Sequence, residues 1–452
     1  MLVVKFGGTS VGDAGAIERA CEIVRGRLDR APVVVVSALA GTTNALLAIG
    51  EQAARGHLIG ALSGVEALRA RHLELAERLL GDSPAGLEMA AEIGATFDEL
   101  AHLAEALSVL GDLSPRSLDA IAAIGERTSS LLVAAAFRCR GIDVEHVDAR
   151  QVMITDDAFT KAEPDTAALS DAARRLVLPH VRAGRVPLLG GFIGSTRDGR
   201  TTTLGRGGSD YSASLVGAAL GADAIEIWTD VDGMLTADPR VVEGARLIEQ
   251  IRFDEASELA AFGAKVLHPY TIAPAVRRGI PVYVYNSRRP DGVGTRITFD
   301  APRRPVSAIA GKSDITTLEV RTPRMLLTHG FLREFFAAFE RHRTPVDIVA
   351  TSEVSVAVTI DDDTRLDALV VDLRALGDVA VQRNRGVIAV VGAGIADAAE
   401  TLARALGALR GLRVHLATLG ASRINLTLVV EGEQVAPGMR LLHEEFFGAG
   451  GA

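Results

Sequence analysis

Cysteine is scarce in this 452-residue chain: only Cys21 and Cys139, each inside an apolar stretch of helical pattern. Two such thiols make neither a disulfide framework nor a thiolate metal site, and both are expected to be buried and free in a reducing cytoplasm. Runs of positive charge are missing too, and the formal net charge is −9. That excludes a nucleic-acid footprint or a basic membrane-surface helix. No apolar run approaches the roughly 20 residues of a membrane span. The N-terminus carries no cationic segment, apolar core or cleavage site, and enters a strand pattern at once. The expectation is a soluble cytoplasmic protein with neither nucleic-acid nor membrane partners.

What is present is an ordinary globular balance, 48% hydrophobic and 23% charged residues. Over the first 300 residues short β-rich runs alternate with helical patterns. Residues 2–6 (LVVKF) read as a buried strand, 13–28 as a helix and 32–37 (PVVVVS) as a second strand. Residues 45–110 read as consecutive helices and 116–138 as another. Strands are expected at 144–147, 186–193, 224–229 and 281–285. Such alternation argues a mostly parallel α/β sheet sandwiched by helices. The segment 299–305, with Asp300, Pro302 and Pro305, reads as a linker. After it a βαββαβ order occurs nearly twice, which predicts two small α+β modules, 306–383 and 384–448. The second module lacks its last strand, and the run 306–311 is a candidate to supply it. The catalytic domain is then 1–298.

Several motifs carry chemistry. Lys5-Phe6-Gly7-Gly8-Thr9-Ser10 links the first strand to the first helix. Its glycines let backbone approach an anion, the helix start offers free N–H groups, and Lys5 adds a charge. It is neither a Walker A loop nor GxGxxG, and by itself it could be a tight turn beside a surface lysine. Thr201-Thr202-Thr203-Leu204-Gly205-Arg206-Gly207-Gly208-Ser209-Asp210 follows a strand and precedes a helix. It reads as a loop that forms no core, and capping by Ser209 or Asp210 is the plainer alternative. Thr229-Asp230-Val231-Asp232-Gly233 closes a strand where open α/β sheets bind ligands, and it leads into Thr236-Ala237-Asp238-Pro239-Arg240. The run 262–269 (FGAKVLHP) adds Lys265. Glu126 follows Gly125 in an otherwise apolar helix, with modest reason to turn inward.

In this order and spacing, KFGGTS, SALAGTTN, TTTLGRGGSD, WTDVDG, TADPR and FGAKVLHP resemble the aspartate kinase family of the amino-acid kinase fold. The likeness covers essentially the whole chain, and the tail resembles the family's paired ACT domains. GFLREFFAAFERHRTPVDIVATSEVSVAVTI is most similar to the lysine-sensitive, single-function class. The resemblance implies MgATP-dependent phosphorylation of the L-aspartate side-chain carboxylate, the first step toward lysine, threonine, methionine and diaminopimelate. It implies an L-lysine effector and a homodimer or homotetramer joined through the ACT modules. Alternatives are another carboxylate, carbamate or nucleotide kinase of this fold, or a catalytically dead amino-acid sensor.

By the same resemblance, Lys5, Gly7, Gly8 and Thr9 hold the transferring phosphates. Ser37, Thr43 and Ser209 line the aspartate pocket, Arg206 pairs with the α-carboxylate and Glu126 takes the α-ammonium. Thr229, Asp230, Leu235, Arg240, Lys265 and Val266 lie around ATP. Leu235 stands where close relatives often carry an aromatic residue. A free aspartate side chain, with pKa about 3.9, is already ionised at neutral pH and needs no base. Asp210 is therefore expected to orient Lys5, with Lys265 a second candidate. Mg²⁺ is held by phosphate oxygens and water, with no protein ligand named. Met325, Thr328, Gly330, Phe331, Leu332, Asp347, Ser352 and Glu353 match the effector pocket. There the helix start at 330 would meet the effector carboxylate, and Asp347 and Glu353 its ammonium groups. Leu327 stands where close lysine-sensitive relatives carry a histidine.

Overall fold

The computed structural model describes residues 1–262, 267, 269–326, 329–396, 398–420 and 422–448. The chain forms two compact units. The first comprises Met1–Met234, Glu249–Phe253 and Val266–Ala301; the second comprises Leu235–Ile248, Asp254–Lys265 and Pro302–Ala452. Two segments expected in the catalytic domain thus cluster with the C-terminal unit. Buried polar groups account for this. Thr236 Oγ1 lies 2.9 Å from His443 Nε2, and Glu255 accepts from Ser307 Oγ at 2.8 Å and from the Ala393 N–H at 3.0 Å.

The first unit is built on an eight-stranded sheet. Across it the strands run Val144–His146, Val186–Gly190, Pro32–Val36, Leu2–Phe6, Ala224–Thr229, Val282–Asn286, Thr295–Thr298 and Gln250–Arg252. All neighbours are parallel except the antiparallel pair Val282–Asn286 and Thr295–Thr298. The central strand shows why the site falls where it does. Successive side chains of a strand point to opposite faces. Leu2, Val4 and Phe6 join Ile17 and Cys21 of helix Ala14–Arg25 and Phe137 of helix Pro115–Cys139 in one core. Val3 meets Gly217 of helix Gly208–Leu220, so Lys5 projects toward that same helix. Helices Thr42–Ala54, Leu58–Leu80 and Pro84–Leu110 extend the core through Leu46, Val65 and Phe97.

Differences from the sequence expectations have local causes. The strand expected over 186–193 stops at Gly190 and restarts at Ile193, because Phe192 adopts φ 64°. Thr201–Thr203, read as loop, is a strand paired with Ile193–Thr196, and Thr202 and Thr203 are buried. Cys139 is exposed, since it is the last residue of its helix; Cys21 is buried as expected. Helix Pro115–Cys139 is long and apolar enough to cross a membrane, but it is a core helix here, buried over most of its length.

The second unit carries one six-stranded antiparallel sheet. What reads in sequence as four short strands is two long ones, Ala308–Arg321 and Asp378–Val391, paired along their length with a register shift between Lys312 and Thr317. Residues 308–312 lie beside 387–391, in the fourth-strand place of the second module, and 317–321 lie beside 378–382 in the first. Helices Phe331–Arg341 and Leu366–Arg374 share the core of one half, and Ala399–Ala408 and Val435–Phe447 that of the other.

Candidate active site

At the carboxyl edge of the first sheet, the parallel strands release their chains into one region. Ligands bind there in open α/β folds. A cleft of about 820 Å³ opens there, lined by Lys5, Gly8, Ser37, Thr43, Glu126, Arg206, Ser209 and Asp210. Thr9 is exposed on the turn Gly8–Ser10, Gly7 is buried, and Thr229 and Asp230 stand at the end of their strand, outside the cleft lining. Leu235 bridges Leu247 in the second unit, where Arg240 is exposed and ion-paired with Asp238 at 2.6 Å. Lys265 and Val266 lie outside the described residues.

The phosphate-loop geometry depends on glycine. A Cβ on Gly8 would sit 2.9 Å from the Ala38 carbonyl, so a side chain there would push the first loop off the second. The Ala40 N–H donates to the Gly8 carbonyl at 3.1 Å and closes the contact. Helices Thr42–Ala54 and Gly208–Leu220 both begin at the cleft. Their N-caps, Gly41 and Gly207, have φ 79° and 71°, and neither supplies a side-chain cap. Two helix starts thus direct backbone N–H groups and positive dipole ends at the cleft, a surrounding suited to anions.

Four charged groups define its electrostatics. The Lys5 ammonium lies 2.6 Å from Asp210 Oδ1 as an ion pair, with both side chains largely buried. Asp210 enters from the first turn of Gly208–Leu220, the helix toward which Lys5 projects. Glu126, for which the sequence offered little reason to turn inward, is 3% exposed. Burial pushes its carboxyl up to about 8, against the pull of the Ala38 N–H and the Lys5 charge. Its Oε2 has no hydrogen-bond partner among the described residues. A buried acceptor left this way suits an incoming cation. Arg206 is exposed on the cleft wall. The site therefore offers a cation within an ion pair, a guanidinium without a partner among the described residues and an unfilled carboxyl acceptor.

Sequence reasoning missed Asp119 and Phe192, which also line the cleft. The first is a lone acid in a helix with no motif around it. Phe192 was hidden by reading its strand straight through, although the preceding Gly190-Gly191 pair is a signal of a turn.

In the second unit, Met325 lies in the turn Pro323–Met325, Gly330 caps helix Phe331–Arg341 with φ 88°, Phe331 is buried and Leu332 is 40% exposed. Thr328 lies outside the described residues. Asp347 precedes strand Val349–Thr351, and Ser352 and Glu353 form the turn beyond it. The Asp347 N–H donates to Thr359 at 3.0 Å and the Ser352 N–H to Ser355 at 2.8 Å, so the two acids occupy opposite ends of one hairpin. At about 3.3 Å per residue they stand roughly 15–20 Å apart. Within a single chain a short strand thus stands between the two acids expected to face one effector.

The matches to known proteins follow the same division. Residues 1–286 match the amino acid kinase family and residues 388–446 an ACT domain. The fold and the cleft thus define an amino-acid kinase with an ACT-bearing C-terminal unit. Within that class the chain belongs to the aspartokinases. It is 40% identical to the lysine-sensitive aspartokinase 3 of Escherichia coli K12 over 99% of both chains. It is 35% identical to the chloroplastic aspartokinase 3 of Arabidopsis thaliana, over 98% of this chain and 81% of that protein. The crystal structure of E. coli aspartokinase III with aspartate and ADP, its R-state, matches with TM-score 0.86 at 39% identity, covering 99% of this chain and 100% of that one. The T-state of the same enzyme, with lysine and aspartate, matches with TM-score 0.82 at 39% identity over 99% of each. The chain is a nucleotide-using kinase.

Proposed function

We propose that the chain transfers the γ-phosphoryl group of MgATP to the side-chain carboxylate of L-aspartate. The observation that carries this reading is the pairing of Arg206 with buried Glu126, whose Oε2 has no hydrogen-bond partner among the described residues, on one cleft beside Lys5. A guanidinium and a carboxylate match the two ends of an α-amino acid head group, and the planar fork of arginine suits a carboxylate. With the head group held, the substrate side chain reaches toward Lys5 and the glycine loop. Its carboxylate is already a nucleophile, so the task is to bring it in line with the γ-phosphorus and to neutralise the phosphoryl oxygens. Lys5 supplies charge, Asp210 orients it, and the N–H groups of Gly8 and of the two helix starts take further phosphate charge. Mg²⁺ enters with ATP, held by phosphate oxygens and water. Thr229 and Asp230 border the nucleotide.

A coupled assay of ADP release tests the reaction: turnover with aspartate and little with glutamate is expected, since one extra methylene misplaces the attack. Arg206→Ala should raise the aspartate KM by about tenfold or more, the worth of a charged hydrogen bond, and leave the ATP KM unchanged. A weakened ATP KM with an unaltered aspartate KM reverses the assignment.

Lysine is the effector this reading favours, and the separation of Asp347 from Glu353 favours a site completed by two chains of a homodimer. An inhibitor bound away from the active site acts only through its preference for an inactive state. Partial desolvation, reinforced by the neighbouring Asp361 carboxylate, pushes the Asp347 carboxyl up to about 6. Protonation removes its charge, so lysine inhibition should weaken as pH falls through about 6. Asp347→Ala should raise the lysine concentration for half-inhibition about tenfold, with uninhibited turnover intact. Threonine inhibiting in place of lysine, or no shift in the variant, would sink this part of the reading.

A further inference from the structure

Asp119 is 1% exposed, yet no backbone duty of its own helix keeps it there. Its Oδ2 accepts the Thr160 N–H at 2.9 Å and the Thr203 N–H at 3.0 Å, and its Oδ1 accepts the Thr203 hydroxyl at 2.6 Å. One carboxylate therefore joins two chain segments to helix Pro115–Cys139. The first is 156–163, where Thr160 holds φ 71°, a conformation a β-branched residue rarely adopts. The second is the strand that runs directly into Gly205-Arg206-Gly207. The two segments are also tied to each other. The Ala162 N–H donates to the Thr203 carbonyl at 2.9 Å. Gly205 passes so close to Thr160 that a Cβ would lie 3.2 Å from its carbonyl.

Asp119 and Glu126 are seven residues apart, two turns on one helix face, and both line the cleft. The rigid helix that presents Glu126 thereby also holds, through Asp119, the root of the loop that presents Arg206. Only two residues, Leu204 and Gly205, separate Thr203 from Arg206, so there is little slack between anchor and guanidinium.

We propose that Asp119 is a positioning residue which sets the Glu126-to-Arg206 spacing and so the enzyme's selection for an α-amino acid head group. It touches neither the phosphates nor the reacting carboxylate in this scheme. Its influence therefore falls on aspartate recognition and spares nucleotide binding. The inference rests on the reading of Arg206 and Glu126 as the head-group ligands.

The test is steady-state kinetics on Asp119→Asn and Thr203→Val in the full chain. Asparagine keeps one oxygen for the two N–H donors but loses the charge and turns an N–H₂ group toward the Thr203 hydroxyl, which must reverse from donor to acceptor, whereas Thr203→Val removes only the hydroxyl bond and keeps the side-chain volume. An ångström of misplacement can cost about 10²-fold, so Asp119→Asn should raise the aspartate KM by about tenfold or more, with the ATP KM and saturated kcat changed by less than about threefold. The preference for aspartate over succinate, which lacks the α-ammonium, should narrow in the same variant. Thr203→Val should move the aspartate KM alone, by a smaller factor. An aspartate KM unchanged in both variants overturns the proposal. So does a joint loss of aspartate binding, ATP binding and Tm, which marks a merely structural residue. Failure of the underlying reading looks different: Arg206→Ala and Glu126→Gln would then leave the aspartate KM untouched.

Discussion

Replacing Lys5 with alanine is expected to cut kcat by about 10²–10³-fold, the usual cost of one lost transition-state donor. Among the described residues that line the cleft, Lys5 and Arg206 are the only cations, and the proposed role of Arg206 commits it to the substrate. Lys5 thus supplies the charge that lets a carboxylate approach a triphosphate. Its position in the middle of the sheet, paired in register with Val35 and Ile227, leaves it little freedom to be replaced by a neighbour. The variant also strands Asp210, whose carboxylate would then face the phosphates unpaired. Lys5→Ala/Asp210→Ala should therefore be no slower than Lys5→Ala alone, because Asp210 acts through Lys5. Retention of more than about a tenth of wild-type kcat in Lys5→Ala would remove Lys5 from this role.

The second large effect concerns pH. Glu126 must be ionised to hold an ammonium group, yet burial pushes its carboxyl up to about 8. Aspartate binding should then release a proton at neutral pH, and the aspartate KM should fall by up to about tenfold per unit as pH rises from 6 toward 8. Glu126→Gln should flatten that profile at a KM about 10–100-fold above the wild-type optimum. Calorimetry in buffers of different ionisation enthalpy counts the released proton. A KM independent of pH in the wild type would show that Glu126 does not receive the substrate ammonium. Linkage adds a stability signature. The folded pKa lies above the unfolded one, so the stabilising form is the protonated one, and its contribution is lost as pH rises through about 8. Without aspartate, Glu126→Gln should therefore melt above the wild type in alkaline buffer.

The parts of the site that could be read from sequence are those where chemistry forces an unusual local composition. Gly8 sits against a carbonyl and Gly207 caps a helix with positive φ, so KFGGTS and TTTLGRGGSD stand out from any surface loop. Lys5 and Asp210 travel with those glycines and were legible as a pair. Glu126 was named only through the family resemblance and Asp119 not at all, because a carboxylate in a helix has the same local signature whether it meets water or a buried donor. Only the tertiary partners, the Ala38 N–H for one and Thr160 and Thr203 for the other, separate the cases. In the C-terminal unit, Asn384-Arg385-Gly386 looks like a turn between two strands. The chain instead continues as one strand, and Asn384 absorbs the irregularity at φ 57°. Asp347 and Glu353 lie close in sequence but at opposite ends of a hairpin, a separation that spacing cannot reveal.

Those two unbroken strands carry a consequence for any attempt to dissect the C-terminal unit. Each long strand begins in one module's half and ends in the other's, so neither module has a severable boundary. A fragment starting at 384 would leave behind 308–312, baring residues 387–391, which are buried and almost wholly apolar. An open edge of that composition pairs with whatever strand it meets, including its own copies. Such a fragment should aggregate, whereas one that begins upstream of Ala308 and keeps both long strands should melt in a single cooperative step.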